Sequence, residues 1–153
     1  MYTTKFGDCK MTFVKRIERV ALAVEDLEQA RAYFEKCFGA KFLPIEFIED
    51  MGIRYQPFEI GESKMELLEA TREDSPVAKF LKSHGGPGVH HISFEVDDLD
   101  AAVKEFETRG GRIAYRHTYK PGVTFEGYVW REAFVHPKDA YGVLIHLAEK
   151  KKA

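Results

Sequence analysis

Apolar and polar residues alternate along two stretches of the chain in the same way. In residues 19–39, RVALAVEDLEQARAYFEKCFG, Val20, Leu22 and Val24 share one strand face and Arg19, Ala21 and Ala23 the other. In residues 91–111, HISFEVDDLDAAVKEFETRGG, Ile92, Phe94 and Val96 stand opposite His91, Ser93 and Glu95. Each strand pattern gives way to helical spacing (Leu27, Ala30, Phe34; Leu99, Ala102, Phe106). Each helix opens on an aspartate placed to cap it, Asp26 or Asp98, and closes on glycine. The stretches align without a gap at an offset of 91 − 19 = 72, with identities at Val24/Val96, Asp26/Asp98, Leu27/Leu99, Ala30/Ala102, Phe34/Phe106, Glu35/Glu107 and Gly39/Gly111. The chain is an internal duplication.

Short strand-like runs follow each helix: KFLPIEF, IRYQPFEI and KMELLEA in the first half, RIAYRH, REAFVHP and GVLIHLAE in the second. Each half therefore reads strand, helix, three strands. Ser75-Pro76, a capping residue before a proline, opens a linking helix that ends before HGGPG. The boundaries that result are an N-terminal extension (1–16), a first βαβββ module (17–74), a linking helix and loop (75–87), a second module (88–149) and a basic tail (150–153). The final strands match as KMELLE over LIHLAE, which pairs Glu66 with His146 at an offset of 146 − 66 = 80. The second half thus carries about eight extra residues, most economically in TYKPGVTFEGYVWRE, residues 118–132.

Composition narrows the function classes. At 153 residues, 44% hydrophobic and 31% charged, the chain has enough apolar surface for one compact domain or two modules sharing a core. A formal net charge of -2 with both signs interspersed supplies no basic stripe for nucleic acid or an acidic membrane. No apolar run reaches the ~20 residues that span a bilayer, and the start has no signal-peptide core, so a cytoplasmic protein is expected. Cys9 and Cys37 form no metal or redox spacing and read as reduced bystanders.

On the stretches ALAVEDLEQA, GESKMELLEATREDSPVAKFL, GVHHISFEVDDLDAAV and FVHPKDAYGVLIHLAE the sequence resembles the vicinal oxygen chelate (glyoxalase/bleomycin resistance/dioxygenase) superfamily, and within it the methylmalonyl-CoA epimerase branch, from Ile17 to Glu149. The resemblance implies an α+β fold, two tandem βαβββ modules forming a curved mixed sheet around a central cavity. It implies metal ligands on the first and last strand of each module, which here are Arg19, Glu66, His91 and His146. Family members carry histidine in place of Arg19 and glutamate in place of His146, a double departure. The resemblance also implies a proton-moving carboxylate before the glycine of EDMGI, which here is Asp50, with Glu49 adjacent. It further implies a small-molecule substrate, possibly an acyl-CoA or carboxylate, and a homodimer.

Glu66, His91 and His146 are a donor set for a divalent transition metal, with cobalt, zinc, nickel, manganese and iron all allowed. Such an ion would stabilise an enolate. Arg19 cannot ligate a cation. It can grip a substrate carboxylate or phosphate, or it can pair with Glu66 and leave a metal-free pocket. Blander roles suit other residues. His90 should face away from His91, His84 and His117 should be solvated, His136 should brace the turn at Pro137, and Glu25-Asp26 and Asp97-Asp98 should cap helices. The aromatic residues around 118–132, Tyr128 and Trp130 among them, either line a ligand site or cover a sheet edge or dimer seam. Three functions follow: an isomerase or lyase that abstracts a proton beside a carbonyl or thioester, an iron dioxygenase using two His and one Glu, and a non-catalytic small-molecule binder.

Overall fold

The computed structural model describes residues 12–153. Residues 1–11, most of the expected extension with Cys9, lie outside that range. Strand β1 (Val14–Ala23) leads into α1 (Leu27–Phe38), followed by β2 (Lys41–Phe42), β3 (Glu46–Ile48), β4 (Ile53–Ile60) and β5 (Ser63–Ala70). Helix α2 (Pro76–His84) links to β6 (Gly88–Val96), α3 (Leu99–Thr108), β7 (Tyr115–Thr118), β8 (Tyr128–Val135) and β9 (Leu144–Lys152). The strands form one curved nine-stranded sheet in the order β2-β4-β5-β1-β6-β9-β8-β7, with β3 added on β4. The modules meet at the antiparallel pair β1–β6, while each module's first and last strands, β1–β5 and β6–β9, run parallel. The architecture is the α+β, two-module curved sheet expected from the duplication.

The helices start where the aspartates place them. Asp26 accepts from Gln29 N–H at 2.8 Å and Asp98 from Ala101 N–H at 2.9 Å. Each module then adds a second cap: Glu69 on β5 accepts from Leu27 N–H at 2.6 Å, and Glu149 on β9 from Leu99 N–H at 2.7 Å. First-turn N–H groups have no partner inside a helix, so a carboxylate reaching up from the sheet both satisfies them and pins helix to strand. Beneath α1, Leu27, Phe58 and Leu67 form a buried cluster, and beneath α3, Leu99, Val103, Ala133 and Leu147 do the same. Burial of one such leucine contributes about 1.5–3 kcal/mol. Helix α2 opens on buried Ser75, whose Oγ accepts from Val77 N–H, and packs Val77 on the opposite sheet face against Ala21, Ala23 and Leu68.

Four expectations change. KFLPIEF splits into β2 and β3, because Pro44 has no N–H to give a ladder. RIAYRH is a strand only from Tyr115. Lys150 to Lys152 are no tail: they continue β9, pairing Lys150 with Trp130, and the half-buried Lys150 donates to Glu18 at 2.6 Å. The N-terminal boundary moves as well, since β1 already pairs Val14 with Val96. Among the described residues no helix is long and apolar enough to cross a membrane.

Candidate active site

The register of the sheet decides which side chains share its concave face. One row across the strands reads Pro57, Glu66, Ala21, His91, Leu144, and the next reads Arg19, Ser93, His146, Phe134, Tyr115. The four positions expected to act together, Arg19, Glu66, His91 and His146, are all buried and all line one cavity of about 90 Å³. That is room for several waters or a small polar acyl group. Its walls are apolar and aromatic, with Ile53, Leu68, Tyr119, Phe125, Trp130 and Phe134 prominent.

A pair of β-bulges shapes this floor. On β1 the pairing steps from Ile17 to Arg19 while β6 advances one residue, and on β6 it steps from Val89 to His91 while β1 advances one. The extra residues, Glu18 and His90, are repeat equivalents, so the duplication copied the irregularity. A bulge breaks strict alternation and re-aims the side chains around it. His90, expected to face away, therefore lines the cavity beside His91, with their Nδ1 atoms 2.9 Å apart. Glu18 turns towards Arg19 and is buried.

Arg19 is enclosed by carboxylates. Its Nη1 donates to Glu66 Oε2 at 3.0 Å and to Glu126 Oε2 at 2.9 Å, while Nη2 donates to Glu126 Oε1 and Glu18 Oε1, both at 3.2 Å. The guanidinium also lies 5.2 Å from the centre of the Trp130 ring. Burial pushes the Glu66 carboxyl up, but Arg19 and His91 beside it hold it down, to about 2. The remaining Glu66 oxygen, Oε1, is 3.4 Å from His91 Nε2. Burial lowers His91 against the opposing pull of Glu66, so its imidazole is neutral at pH 7.

A second carboxylate–imidazole pair completes the floor. His146 Nδ1 shares a 2.6 Å hydrogen bond with Ser93 Oγ, and its Nε2 faces Glu132 Oε1 at 3.3 Å, off the hydrogen-bond direction and with no other partner. Burial pushes the Glu132 carboxyl up, and His146, the Tyr119 hydroxyl and His117 bring it below the ordinary carboxylate value. Tyr119 donates to both Glu132 oxygens, at 3.2 and 3.1 Å.

The divalent ion implied by the resemblance needs at least three of these donors on one point. Glu66 is committed to Arg19, whose positive charge stands at the fourth corner, and Glu66–His91 and His146–Glu132 form two separate pairs. Among the described residues no three His, Cys, Asp or Glu side chains converge as metal ligands would. The donor types suit a transition metal; their arrangement around Arg19 does not.

Glu49 and Asp50, expected to move the proton, are not brought to the cavity. They lie on a 3-10 turn that directs Ile48 and Met51 inward and leaves both carboxylates exposed. Asp50 instead approaches His117 Nε2 at 3.5 Å, and His117 sits on β7 rather than in a solvated loop. Of the two aromatic residues expected at the ligand, Trp130 walls the cavity, while Tyr128 packs behind it under the Lys150 ammonium. His136 braces its turn, accepting from Lys138 N–H. The sequence patterns above do not single out Glu126 or Glu132. Glu132 carried a readable signal, a carboxylate in phase with Trp130 and Phe134 on an otherwise aromatic strand face; Glu126, in a loop, carried none.

Comparison with known proteins agrees with this geometry. Residues 18–128 match the family model described as the Glyoxalase/Bleomycin resistance protein/Dioxygenase superfamily. The mitochondrial methylmalonyl-CoA epimerase of Bos taurus is 35% identical over 134 residues, covering 88% of this chain and 74% of that protein. The crystal structure of methylmalonyl-CoA epimerase from Mycobacterium tuberculosis superposes with a TM-score of 0.79 at 30% identity, covering 92% of this chain and 91% of the other. A variant of the Streptomyces coelicolor methylmalonyl-CoA epimerase in complex with 2-nitronate-propionyl-CoA gives 0.76 at 33% identity, over 89% and 97%. With the duplicated sheet, the paired bulges and the shared cavity, these matches show that the chain belongs to the glyoxalase/bleomycin resistance/dioxygenase superfamily, close to its methylmalonyl-CoA epimerases.

Proposed function

We propose that this protein moves a proton on and off the carbon beside the carbonyl of a small acyl-CoA thioester, acting as an isomerase. The observation that carries the reading is the pairing, on one cavity floor, of two ionised carboxylates with two imidazoles: Glu66 with His91 and Glu132 with His146. A carbon acid beside a carbonyl needs a base within hydrogen-bond reach whose pKa lies near the working pH, and imidazole meets that requirement. His146 Nε2 is buried and has no hydrogen-bond partner, so it is the atom assigned to take the proton. Glu132 then stabilises the imidazolium, and Ser93 on the far nitrogen fixes the ring. His91, neutral and backed by Glu66, is the second acid–base group. Removal by one imidazole and return by the other inverts the carbon; return by the same one exchanges its hydrogen. The apolar walls keep water away and strengthen the electrostatic terms inside. Similarity to methylmalonyl-CoA epimerases, one of them bound to an acyl-CoA analogue, supports the thioester class.

The test is deuterium exchange. Incubated in D2O with methylmalonyl-CoA and other 2-methyl acyl thioesters, the protein incorporates deuterium at the carbon next to the carbonyl, read by mass spectrometry. No incorporation above the buffer rate for any of them overturns the proposal. The closed Arg19–Glu66 pair favours a second reading, a ligand carrier, which would bind the same thioesters without exchange.

A further inference from the structure

Arg19 spends its guanidinium unevenly. Of the five N–H groups an arginine carries, four donate to carboxylates: two from Nη1, to Glu66 and Glu126, and two from Nη2, to Glu126 and Glu18. The fifth, on Nε, is buried and has no partner among the described residues. Those carboxylates are tied down in turn: Glu126 also takes the Tyr55 hydroxyl and its N–H donates to Glu46, while Glu18 also meets Lys150 and Arg16. A buried donor left without a partner is costly and calls for an explanation. Among the described residues four buried side-chain polar atoms stand unpartnered, on Arg19, Gln56, His117 and His146, and of these residues Arg19 and His146 line the cavity. They share one row of the sheet, Arg19 opposite Ser93 and Ser93 opposite His146, so two strand spacings of about 4.8 Å separate their backbones. One unspent atom is a donor on a permanent cation and the other a base. Deprotonation beside a carbonyl needs both, a donor where negative charge collects and a base where the proton leaves.

We propose that the Arg19 Nε–H is the oxyanion donor of this site, receiving the thioester carbonyl oxygen as the neighbouring carbon is deprotonated and so supplying the charge stabilisation expected of a metal ion. This deepens the function proposed above and rests on it for the reaction. The C–H bond breaks, its proton goes to His146 Nε2, and its electron pair forms the carbon–carbon double bond while the carbonyl pair moves onto oxygen, which accepts from Nε–H without taking that proton. No contact in the structure has to break, because Glu66, Glu126 and Glu18 keep Nη1 and Nη2. They hold the donor in place beforehand, the condition under which an oxyanion contact is worth most. The misfit with a divalent ion has the same origin: Glu66 neutralises Arg19 instead of ligating a metal, and Arg19 brings its own positive charge to that corner.

In the natural chain, the nuclear magnetic resonance of the Arg19 Nε–H proton should move downfield when propionyl-CoA saturates the site, since an unpaired donor then gains an acceptor. An unmoved resonance with the thioester bound overturns the proposal. Arg19→Lys keeps the charge and loses the Nε–H. It should lower the maximal rate of deuterium exchange into methylmalonyl-CoA by roughly 10²–10³-fold, with little change in the half-saturating concentration, as for a contact that strengthens in the transition state. A retained maximal rate overturns the proposal. Exchange by the natural chain should survive EDTA and gain nothing from added cobalt or zinc; a loss on chelation that cobalt restores assigns the oxyanion to a metal and overturns it too. If Arg19→Lys fails to fold, the resonance and the chelation result decide. Because the resonance is read without turnover, a shift without exchange keeps Arg19 as the carbonyl donor and removes the isomerase, and exchange with an unmoved resonance does the reverse.

Discussion

The two modules place different chemistry on matching backbone. At the bulge the first carries Glu18 and Arg19, the second His90 and His91; on the last strand Glu66 faces His146; one strand further out Tyr55 in the first module stands where Glu132 stands in the second. Module one has become a closed ion cluster around a permanently charged guanidinium. Module two has become a group of imidazoles and one carboxylate that can exchange protons. Duplication supplies two equivalent walls to one cavity, and divergence has filled one with a closed ion cluster and the other with ionisable imidazoles.

The largest effect that would break this division is on exchange. His146→Gln or Glu132→Gln should lower deuterium incorporation by roughly 10²–10⁴-fold, the usual contribution of a positioned acid–base group. Tyr55→Phe, the module-one counterpart of Glu132, should cost less than about tenfold, as for the loss of one hydrogen bond. Equal losses at the two positions would erase the distinction.

Making the modules alike is the next test. Arg19→His places a histidine at the equivalent of His91 and frees Glu66 from its ion pair. Elemental analysis of untagged protein should then find roughly one divalent ion per chain, as a completed four-donor site retains, and substoichiometric metal in the natural chain. Equal metal in both would show that Arg19 does not govern the site.

Acid should separate the modules by pH window. Burial, with His91 adjacent, lowers His90 to about 3, and burial lowers His91 as well. A folded-state pKa below the unfolded value means the unfolded chain binds more protons. The histidine contribution is thus complete above the unfolded value of about 6.5 and is lost as pH falls towards the folded value. Glu66, held to about 2, contributes fully above its unfolded value and is lost only at much lower pH. Melting temperature should therefore fall between about pH 6.5 and pH 5, and His90→Gln should reduce that fall. An unchanged profile in the variant would remove His90 as a cause.

The smallest effects concern what the duplication preserved. Asp26→Ala and Asp98→Ala should each destabilise by about 1 kcal/mol in urea denaturation, equally within error, because each helix keeps its second cap from Glu69 or Glu149. A marked inequality would show that the caps have diverged as the sites have.

The fold was legible because the repeat shows twice what one copy shows weakly. Strand alternation, Asp26 and Asp98 as caps and Ser75-Pro76 as a helix start are local signals, and the structure follows each of them. The candidate site was legible as an association of Arg19, Glu66, His91 and His146 in one cavity. It was not legible in detail. His90 and Glu18 escaped because a bulge depends on the partner strand, which alternation within one strand cannot register. Glu49 and Asp50 lie outside the cavity lining because a 3-10 turn, rather than a continued strand, sets their direction.

The sequence by itself determined the two modules, their helix starts and the residue types that the family positions carry, because these follow from short-range periodicity and from comparison of the chain with itself. Only the tertiary structure decided that Glu126 and Glu18 close on Arg19, that Glu132 backs His146, and that Glu66 pairs with His91 while His146 pairs with Glu132. Those contacts join residues as far apart as Arg19 and Glu126, and their charge states depend on burial that no local pattern encodes.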